Sequence, residues 1–151
     1  MEKLNNIIKS NKKSSLKHIV NDIKNNIRIE ELYNDVINRA EFNNNYNKIL
    51  LERNNEYEIF MLCWSKNSIT AFHEHPKNGC ILIVLNGVLI EYISDKNNKI
   101  NYEKDIKYKN SFKKGCIGYI DNNIGVHKIF SKEKSITLHI YSPPNFIFSA
   151  L

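Results

Sequence analysis

The spacing of apolar residues separates the chain into a helical first part and a β-rich second part. In the first part, two sets of apolar side chains recur every three or four positions, which is the spacing of one helix face. These sets are Leu16, Ile19, Val20, Ile23 and Ile27, followed by Ile29, Leu32, Tyr33, Val36, Ile37 and Ala40. Ser14 or Ser15 is placed to cap the first helix. We therefore assign residues 1–46 to an N-terminal helical segment.

From residue 47 onward, short runs rich in β-branched and aromatic residues alternate with turn residues at close spacing. This pattern is typical of a β-sandwich or a β-barrel. We predict strands at Lys48–Glu52, Tyr57–Trp64, Ile69–Phe72, Cys80–Leu85, Val88–Ile93, Ile100–Tyr108, Cys116–Asp121, Lys128–Phe130 and Ile136–Tyr141. Arg53–Glu56 and Asn86–Gly87 are interpreted as hairpin turns, the second because Asn-Gly suits a tight two-residue loop. Residues 47–151 are thus expected to form a β-domain that makes one compact unit with the helical segment.

The composition excludes several classes of protein. A chain of 151 residues, 42% of them hydrophobic, can bury one core without disulfide staples. No apolar run approaches the roughly 20 residues of a membrane span, and no signal-peptide core follows the first residues. The three cysteines are odd in number and include no Cys-x-x-Cys pair, which argues against a disulfide framework or a zinc ribbon. We expect a cytoplasmic monomer without a membrane partner.

The formal net charge of +6 does not by itself indicate a nucleic-acid partner. The positive charge comes from 19 lysines and only 3 arginines, whereas specific readers of nucleic acid rely on arginine. The lysines are scattered along the chain and form no basic stretch. Asn, Lys and Ile together supply 66 of the 151 residues, so a bias toward A/T-rich codons explains the basicity. We expect no nucleic-acid partner.

Three histidines are the strongest chemical signal in the sequence. His73 and His75 lie two apart near a predicted strand end, so both imidazoles project to the same side. From these two alone, a pair of exposed histidines near a turn remains the alternative. His127 follows a glycine in a later strand region, and distant strands of a β-barrel face one interior. Three neutral imidazoles suit Fe, Zn, Cu or Ni and leave open coordination positions, as a catalytic metal requires.

Around these histidines the sequence resembles a known family. The spacing His73-x-His75-x4-Cys80-x6-Gly87 is similar to the first cupin motif, with Cys80 where most cupins have a glutamate ligand, and His127 falls in the second motif. Together with the stretch Thr137–Pro144, this pattern resembles the cysteine dioxygenase type I family of the cupin superfamily. The resemblance implies a mainly β cupin fold, either a small antiparallel barrel or a jelly roll, with a short N-terminal helical cap.

The resemblance also implies a reaction and a set of roles. His73, His75 and His127 would hold one Fe(II), and L-cysteine and O2 would be converted to cysteine sulfinate. Thr137, His139 and Tyr141 would form a hydrogen-bonded relay on one strand. Cys80 and Tyr141 would form a thioether crosslink. Without the resemblance, Cys80 is interpreted as a small buried apolar residue, His139 as a core histidine and Tyr141 as an inward aromatic.

Two departures from the family leave the substrate open. The family binds the substrate carboxylate with an arginine in Tyr-x-Arg, and the matching stretch here is Tyr46-Asn47-Lys48. Lys48 keeps the charge without the two-point grip of a guanidinium, and in another alignment Asn47 takes its place. Alternatives are therefore oxidation of 3-mercaptopropionate or cysteamine, or a metal-binding cupin without turnover. The family also carries a longer C-terminal segment, and we expect Phe146–Phe148 to fill part of that gap.

Overall fold

A computed structural model of the protein describes residues 1–12, 14–95 and 103–148. The helices that it describes are α1 (Glu2–Lys9), α2 (Val20–Asn26) and α3 (Ile29–Val36), with 3-10 turns at Leu16–Ile19 and Ile37–Arg39. Ser15, one of the two predicted caps, accepts a hydrogen bond from the Lys17 backbone N–H at 3.2 Å. None of the helices in these ranges combines the length and the apolar character that crossing a membrane demands.

The β-rich part forms two antiparallel sheets that pack face to face. The five-stranded sheet has the order β1-β2-β8-β3-β6, and the three-stranded sheet has the order β5-β4-β7. No ladder among the described strands joins the two sheets, so of the two predicted forms the protein adopts an open two-layer form rather than a closed barrel. The strands are β1 (Tyr46–Arg53), β2 (Glu58–Trp64), β3 (Cys80–Asn86), β4 (Val88–Ser94), β5 (Ile106–Lys113), β6 (Ile117–Ile120), β7 (Val126–Ser131) and β8 (Ser135–Tyr141).

The five-stranded sheet has a helix-facing side and a sheet-facing side. Alternate residues such as Ile59, Ile83 and Leu138 are fully buried against apolar residues of the helices, including Leu32. The residues between them project to the opposite side and meet β4 and β7 of the second sheet. Because side chains alternate along a strand, each strand contributes to both layers. The helical segment therefore stabilises one face of the sheet and leaves the other face to the histidines.

Three sequence predictions are wrong in detail. Asn86–Gly87 is not a hairpin turn, since it carries the chain from β3 in one sheet to β4 in the other. Gly87 has φ +97°, and a Cβ there would lie 2.0 Å from the Ser135 Oγ, so close packing at this corner requires glycine. Ile69–Phe72 is not a strand, because it meets β7 only through an isolated bridge and through a hydrogen bond to the Thr70 hydroxyl. Part of the predicted strand Ile100–Tyr108 lies outside the described residues, and β5 continues beyond its predicted end.

Candidate metal centre

The structure brings the three predicted histidines together between the two sheets. The Nε2 atom of His127 lies 3.0 Å from the Nε2 of His75 and 3.1 Å from the Nε2 of His73. One nitrogen from each ring lies within 4.8 Å of the others. His75 and His127 are buried and His73 is half-buried. The cluster is therefore accessible from the side of His73.

Neighbouring groups set the orientation of these rings. The Nδ1–H of His127 donates to a buried carboxylate oxygen of Glu91 at 2.7 Å, and Glu91 also accepts from the Asn110 amide at 3.0 Å. The Nδ1–H of His73 donates to the Ala71 carbonyl at 2.8 Å. Both rings therefore carry their proton on Nδ1 and present an unprotonated Nε2 to the cluster. Outer partners of this kind orient the histidine ligands of metal sites.

His75 is held by its backbone rather than by its ring. Its N–H donates to the Asn122 side-chain oxygen at 3.0 Å, and the Asn122 amide donates to its carbonyl at 2.9 Å. The Nδ1 atom of His75 is the buried side-chain N or O atom that finds no hydrogen-bond partner within the described residues. The position of the His75 ring is thus set by the backbone of its loop and by the group that its Nε2 atom binds.

The donor set fits a metal cation. Burial lowers the pKa of His75 and His127 well below the usual range and also lowers the pKa of His73, so all three rings are neutral. At least two bare Nε2 lone pairs then face each other at 3.1 Å, which is unfavourable without a cation between them. Three neutral nitrogens are the ligands that Fe(II), Zn(II) and similar ions accept, and they leave coordination positions for other molecules. The residues present therefore fit Fe(II).

A cavity of about 180 Å³ adjoins the histidine cluster and is lined by two of its members, His73 and His127. It is small and is enclosed mainly by aromatic and polar side chains, which gives a small ligand both apolar contacts and hydrogen-bonding groups. The residues that line it are Tyr46, Lys48, Leu62, Trp64, Thr70, Ala71, His73, His127, Ile129, His139, Tyr141 and Phe148. Six of the nine residues predicted for the site are in this set.

A line of hydrogen bonds runs along one wall of the cavity to Tyr141. The Trp64 indole N–H donates to the Thr137 hydroxyl oxygen at 2.9 Å, and that hydroxyl lies 2.8 Å from the His139 Nε2. The His139 Nδ1 lies 3.2 Å from the Tyr141 hydroxyl. Because an indole can only donate, the Thr137 oxygen accepts from Trp64, and its own proton is available to donate to Nε2. His139, neutral because burial lowers its pKa, then carries its proton on Nδ1 and donates to the Tyr141 oxygen.

This order leaves the Tyr141 hydroxyl proton free to point into the cavity. Burial raises the pKa of Tyr141 well above its usual value, so the phenol keeps its proton. The relay thus presents one neutral hydrogen-bond donor beside the histidine cluster. Sequence reasoning placed Thr137, His139 and Tyr141 on one face of a strand, and it assigned no role to Trp64.

Cys80 lies behind Tyr141 rather than in the cavity. The two residues are direct partners in the antiparallel pairing of β3 with β8, so their side chains lie next to each other on one face. Cys80 is buried, and burial raises the pKa of its thiol. Gly79, just before it, has φ +91°, and a Cβ there would lie 2.6 Å from the Tyr119 ring. The geometry places a thiol beside the phenol ring, as the thioether prediction requires.

Lys48, not Asn47, faces the cavity. The Lys48 ammonium lies 4.3 Å from the ring centre of Phe60, 4.9 Å from that of Tyr141 and 4.2 Å from that of Phe148. Desolvation beside these rings lowers the pKa of Lys48. Asn47 points to the other side of β1 and donates to the Glu41 carbonyl at 3.1 Å. The ion pairs of the described residues are made by other groups, so the Lys48 charge is free to meet an anion.

Sequence reasoning did not single out Glu91. The sequence pattern does contain a signal for it, because Leu89, Glu91 and Ile93 alternate along β4 and point inward. A buried carboxylate in such an apolar row requires a hydrogen-bonding or charged partner. Tyr46, which was singled out, lines the cavity and stacks against Trp64 with ring centres 5.0 Å apart. Of the segment Phe146–Phe148, Phe148 lies at the cavity with Phe146 packed against it at 5.0 Å between ring centres, whereas Ile147 is 85% exposed.

The chain is similar to known proteins in sequence and in structure. The family model for cysteine dioxygenase type I matches residues 19–150. Cysteine dioxygenase type 1 of Rattus norvegicus is 29% identical over 103 residues, which cover 66% of this chain and 52% of that protein. The Homo sapiens protein of the same name is 28% identical over 103 residues, with the same shares covered. The chain spans about half the length of these curated relatives.

Solved structures share the fold at low sequence identity. A conserved protein with a double-stranded β-helix domain from Klebsiella pneumoniae superposes with a TM-score of 0.59 and 16% identity, covering 82% of this chain and 88% of that one. A cupin superfamily protein from Desulfitobacterium hafniense superposes with a TM-score of 0.54 and 13% identity, covering 68% of this chain and 82% of that one. At these identities the likeness establishes the fold alone, and the predicted cupin fold is confirmed.

Proposed function

The chain belongs to the cysteine dioxygenase type I family, and we propose that it is an Fe(II)-dependent dioxygenase of small thiols whose substrate is L-cysteine. In the proposed reaction, a thiol RSH and O2 give a sulfinic acid RSO2H, so both oxygen atoms are added to the sulfur. The sulfur is thereby oxidised to the sulfinic level, and O2 is the sole oxidant. The free thiols of Cys63, Cys80 and Cys116 support action in the reducing cytoplasm.

The observation that carries this proposal is the convergence of three neutral histidine nitrogens at one end of a small cavity. A three-histidine set adds no negative charge to the metal, so the site favours an anionic ligand such as a thiolate. When bound, Fe(II) supplies the redox chemistry that couples a thiolate to O2. The small cavity supports a substrate of a few heavy atoms.

The residues of the chain hold and orient the reactants. His73, His75 and His127 hold the metal, and Glu91 keeps the His127 ring in the ligating tautomer. The Tyr141 hydroxyl, ordered by His139, donates a hydrogen bond to an oxygen or sulfur atom of the reactants. Such a fixed donor stabilises negative charge that develops during oxygen transfer.

The proposed anchor for the substrate carboxylate is Lys48. Its ammonium lies over three aromatic rings at the cavity. In this position few water molecules compete with a substrate anion for the ammonium. A lysine offers a point charge rather than the planar fork of an arginine. No aspartate or glutamate is among the described residues that line the cavity to pair with an amino group, which favours a second candidate substrate, 3-mercaptopropionate, that carries a carboxylate and lacks the amino group of cysteine.

The proposed function is tested by anaerobic loading with Fe(II), followed by O2 uptake with cysteine, 3-mercaptopropionate and cysteamine. We expect about one iron per chain and consumption of one O2 per sulfinate formed. His127→Ala should lose most of the iron, because it removes one of three ligands. His18→Ala is the matched control, since His18 is exposed on a 3-10 turn and should leave iron content unchanged. Normal iron binding by His127→Ala, or iron without O2 uptake on any thiol, would contradict the proposal.

A separate prediction concerns the carboxylate anchor. Lys48→Ala should remove a charge-assisted contact worth about 1.5–3 kcal/mol, which corresponds to a roughly 10- to 150-fold loss of kcat/KM. The loss should appear with cysteine and 3-mercaptopropionate and be small with cysteamine, which has no carboxylate. Lys48→Arg should retain or improve the use of cysteine, because a guanidinium can form two parallel hydrogen bonds.

Lys66→Ala serves as the control for this prediction, because Lys66 is exposed in a turn between β2 and β3. It should leave kcat/KM unchanged for every thiol. Steady-state rates on all three thiols provide the measurement. Equal losses on cysteine and cysteamine for Lys48→Ala would assign Lys48 a structural role instead.

A further inference from the structure

Phe148 lies across the outer side of the cavity. Its ring centre is 4.9 Å from that of Tyr141, 5.8 Å from that of His73 and 6.4 Å from that of His75. The Lys48 ammonium lies 4.2 Å from the same ring centre. One aromatic side chain thus contacts the metal ligands, the relay tyrosine and the proposed carboxylate anchor.

The chain before Phe148 is tied to the protein at Ser142. The Ser142 hydroxyl donates to the Glu56 carbonyl at 2.8 Å, and the Asn78 N–H donates to the Ser142 carbonyl at 2.8 Å. Beyond this point Phe146 and Phe148 are half-buried, whereas Ile147 between them is 85% exposed. The alternation shows that Phe146 and Phe148 face the protein and that Ile147 faces solvent.

The ring occupies the space into which the outer part of a ligand would extend. A thiolate at the metal and a carboxylate at Lys48 fix the two ends of a short substrate, and the Phe148 ring lies beside both positions. A further substituent on such a substrate would meet this ring. Steric contact with a wall is the ordinary way in which an apolar pocket discriminates by size.

We propose that Phe148 is a specificity-determining residue that forms the outer wall of the thiol pocket and limits it to small thiols. This inference rests on the proposed function, because it needs a thiol to bind at the histidines. The substrates that Phe148 excludes are thiols that carry the same carboxylate with a bulky substituent, such as N-acetylcysteine. Its aromatic ring also keeps water from the Lys48 ammonium, which strengthens the contact of that ammonium with a small anionic thiol.

The test measures thiol binding without turnover. Trp64 is the single tryptophan of the chain and lines the cavity, so its fluorescence reports binding to the anaerobic Fe(II)-loaded protein. The probes are cysteine and N-acetylcysteine, and the readout is the ratio of their dissociation constants. Phe148→Ala should lower this preference for the small thiol by about tenfold or more, and Phe148→Leu should lower it less. The same ratio should follow in kcat/KM where turnover occurs.

Ile147→Ala is the matched control, because it shortens the neighbouring side chain that faces solvent. It should leave the ratio at the value of the unmodified protein. A Phe148→Ala protein with an unchanged ratio, or an unmodified protein that binds both thiols equally well, overturns the role of Phe148 alone. If the iron-loaded protein binds neither thiol, the proposed function fails, and the inference fails with it.

Discussion

At the scale of single residues, Glu91 shows how a buried charge positions the ring of His127, a proposed metal ligand. Glu91 is 5% exposed, and its carboxylate accepts from the His127 Nδ1–H at 2.7 Å. Burial raises the pKa of Glu91, and the amide of Asn110 counteracts this rise by donating a hydrogen bond. A buried acid is costly unless it is paired. This acid is paired with the His127 ring, fixes its orientation and increases the basicity of the opposite nitrogen.

We therefore predict that Glu91→Gln lowers the affinity for Fe(II) by about 10- to 100-fold, the usual effect of losing an outer partner of a histidine ligand. The amide keeps the shape of the carboxylate and loses its charge. Competition with a coloured chelator under anaerobic conditions measures the affinity. Glu103→Gln is the control, since Glu103 is exposed and paired with Lys128. Equal affinities for Glu91→Gln and the unmodified protein would reject the role of this carboxylate.

At the scale of elements, the register of β3 against β8 decides which side chains meet. Cys80 pairs with Tyr141 and Leu82 pairs with His139, so thiol, phenol and imidazole all project toward the cavity side. A slip of one residue would turn these side chains toward the helices. The pairing of β2 with β8 places Leu62 opposite Thr137 on the same side. The relay and the thiol thus depend on the same strand pairing.

This register leads to a prediction about the thioether. If the crosslink forms during turnover, with O2 as oxidant, a carbon–sulfur bond joins Cys80 to the Tyr141 ring and the protein becomes two hydrogen atoms lighter. Cys80→Ser should then convert a doublet on a denaturing gel into a single band and lower activity without abolishing it. Cys116→Ser should keep the doublet, because Cys116 lies in a different part of the fold. Unmodified Cys80 and Tyr141 in the mass spectrum after many turnovers would exclude the crosslink.

At the scale of the whole molecule, the two faces of the five-stranded sheet have different roles. One face packs against the helices and stabilises the fold, and the other faces the candidate site. The helices bury one face, where Leu32 is 2% exposed among side chains such as Ile83 and Leu138. The histidines face its other side from across the gap between the sheets, His127 from β7 of the second sheet and His73 and His75 from the segment before β3. Large apolar side chains fill the first layer, and polar groups are concentrated in the second. This division predicts that packing defects under the helices affect folding more than the site.

Leu32→Ala should lower the free energy of unfolding by about 2–5 kcal/mol, because it removes buried methyl groups and leaves a cavity. The affinity of the folded protein for Fe(II) should stay within about twofold, since none of the three histidines belongs to this layer. Urea denaturation and chelator competition measure the two quantities. Glu31→Ala, an exposed neighbour on α3, should change the free energy of unfolding by about 0.5 kcal/mol or less. A loss of iron affinity as large as the loss of stability would show that the two layers are coupled.

The sequence by itself was enough for features that depend on nearby residues. The helical spacing before residue 46 and the β-rich runs after it were visible because each element displays its own period. His73 and His75 could be assigned to one side, and Thr137, His139 and Tyr141 to one face, because neighbours two apart on an extended chain project together. The family resemblance then supplied the role of the metal and the reaction.

The tertiary structure decided what depends on residues far apart in the chain. His75 and His127 are 52 positions apart, and Glu91 and His127 are 36 apart, so no local period could reveal their contacts. The assignment of β3 and β4 to different sheets also overturned the hairpin predicted at Asn86–Gly87. The register of β1 against β2 put Lys48 rather than Asn47 at the cavity. The physical reason is that strand pairing and register are set by long-range packing and hydrogen bonds, whereas a short stretch of sequence specifies only its own faces.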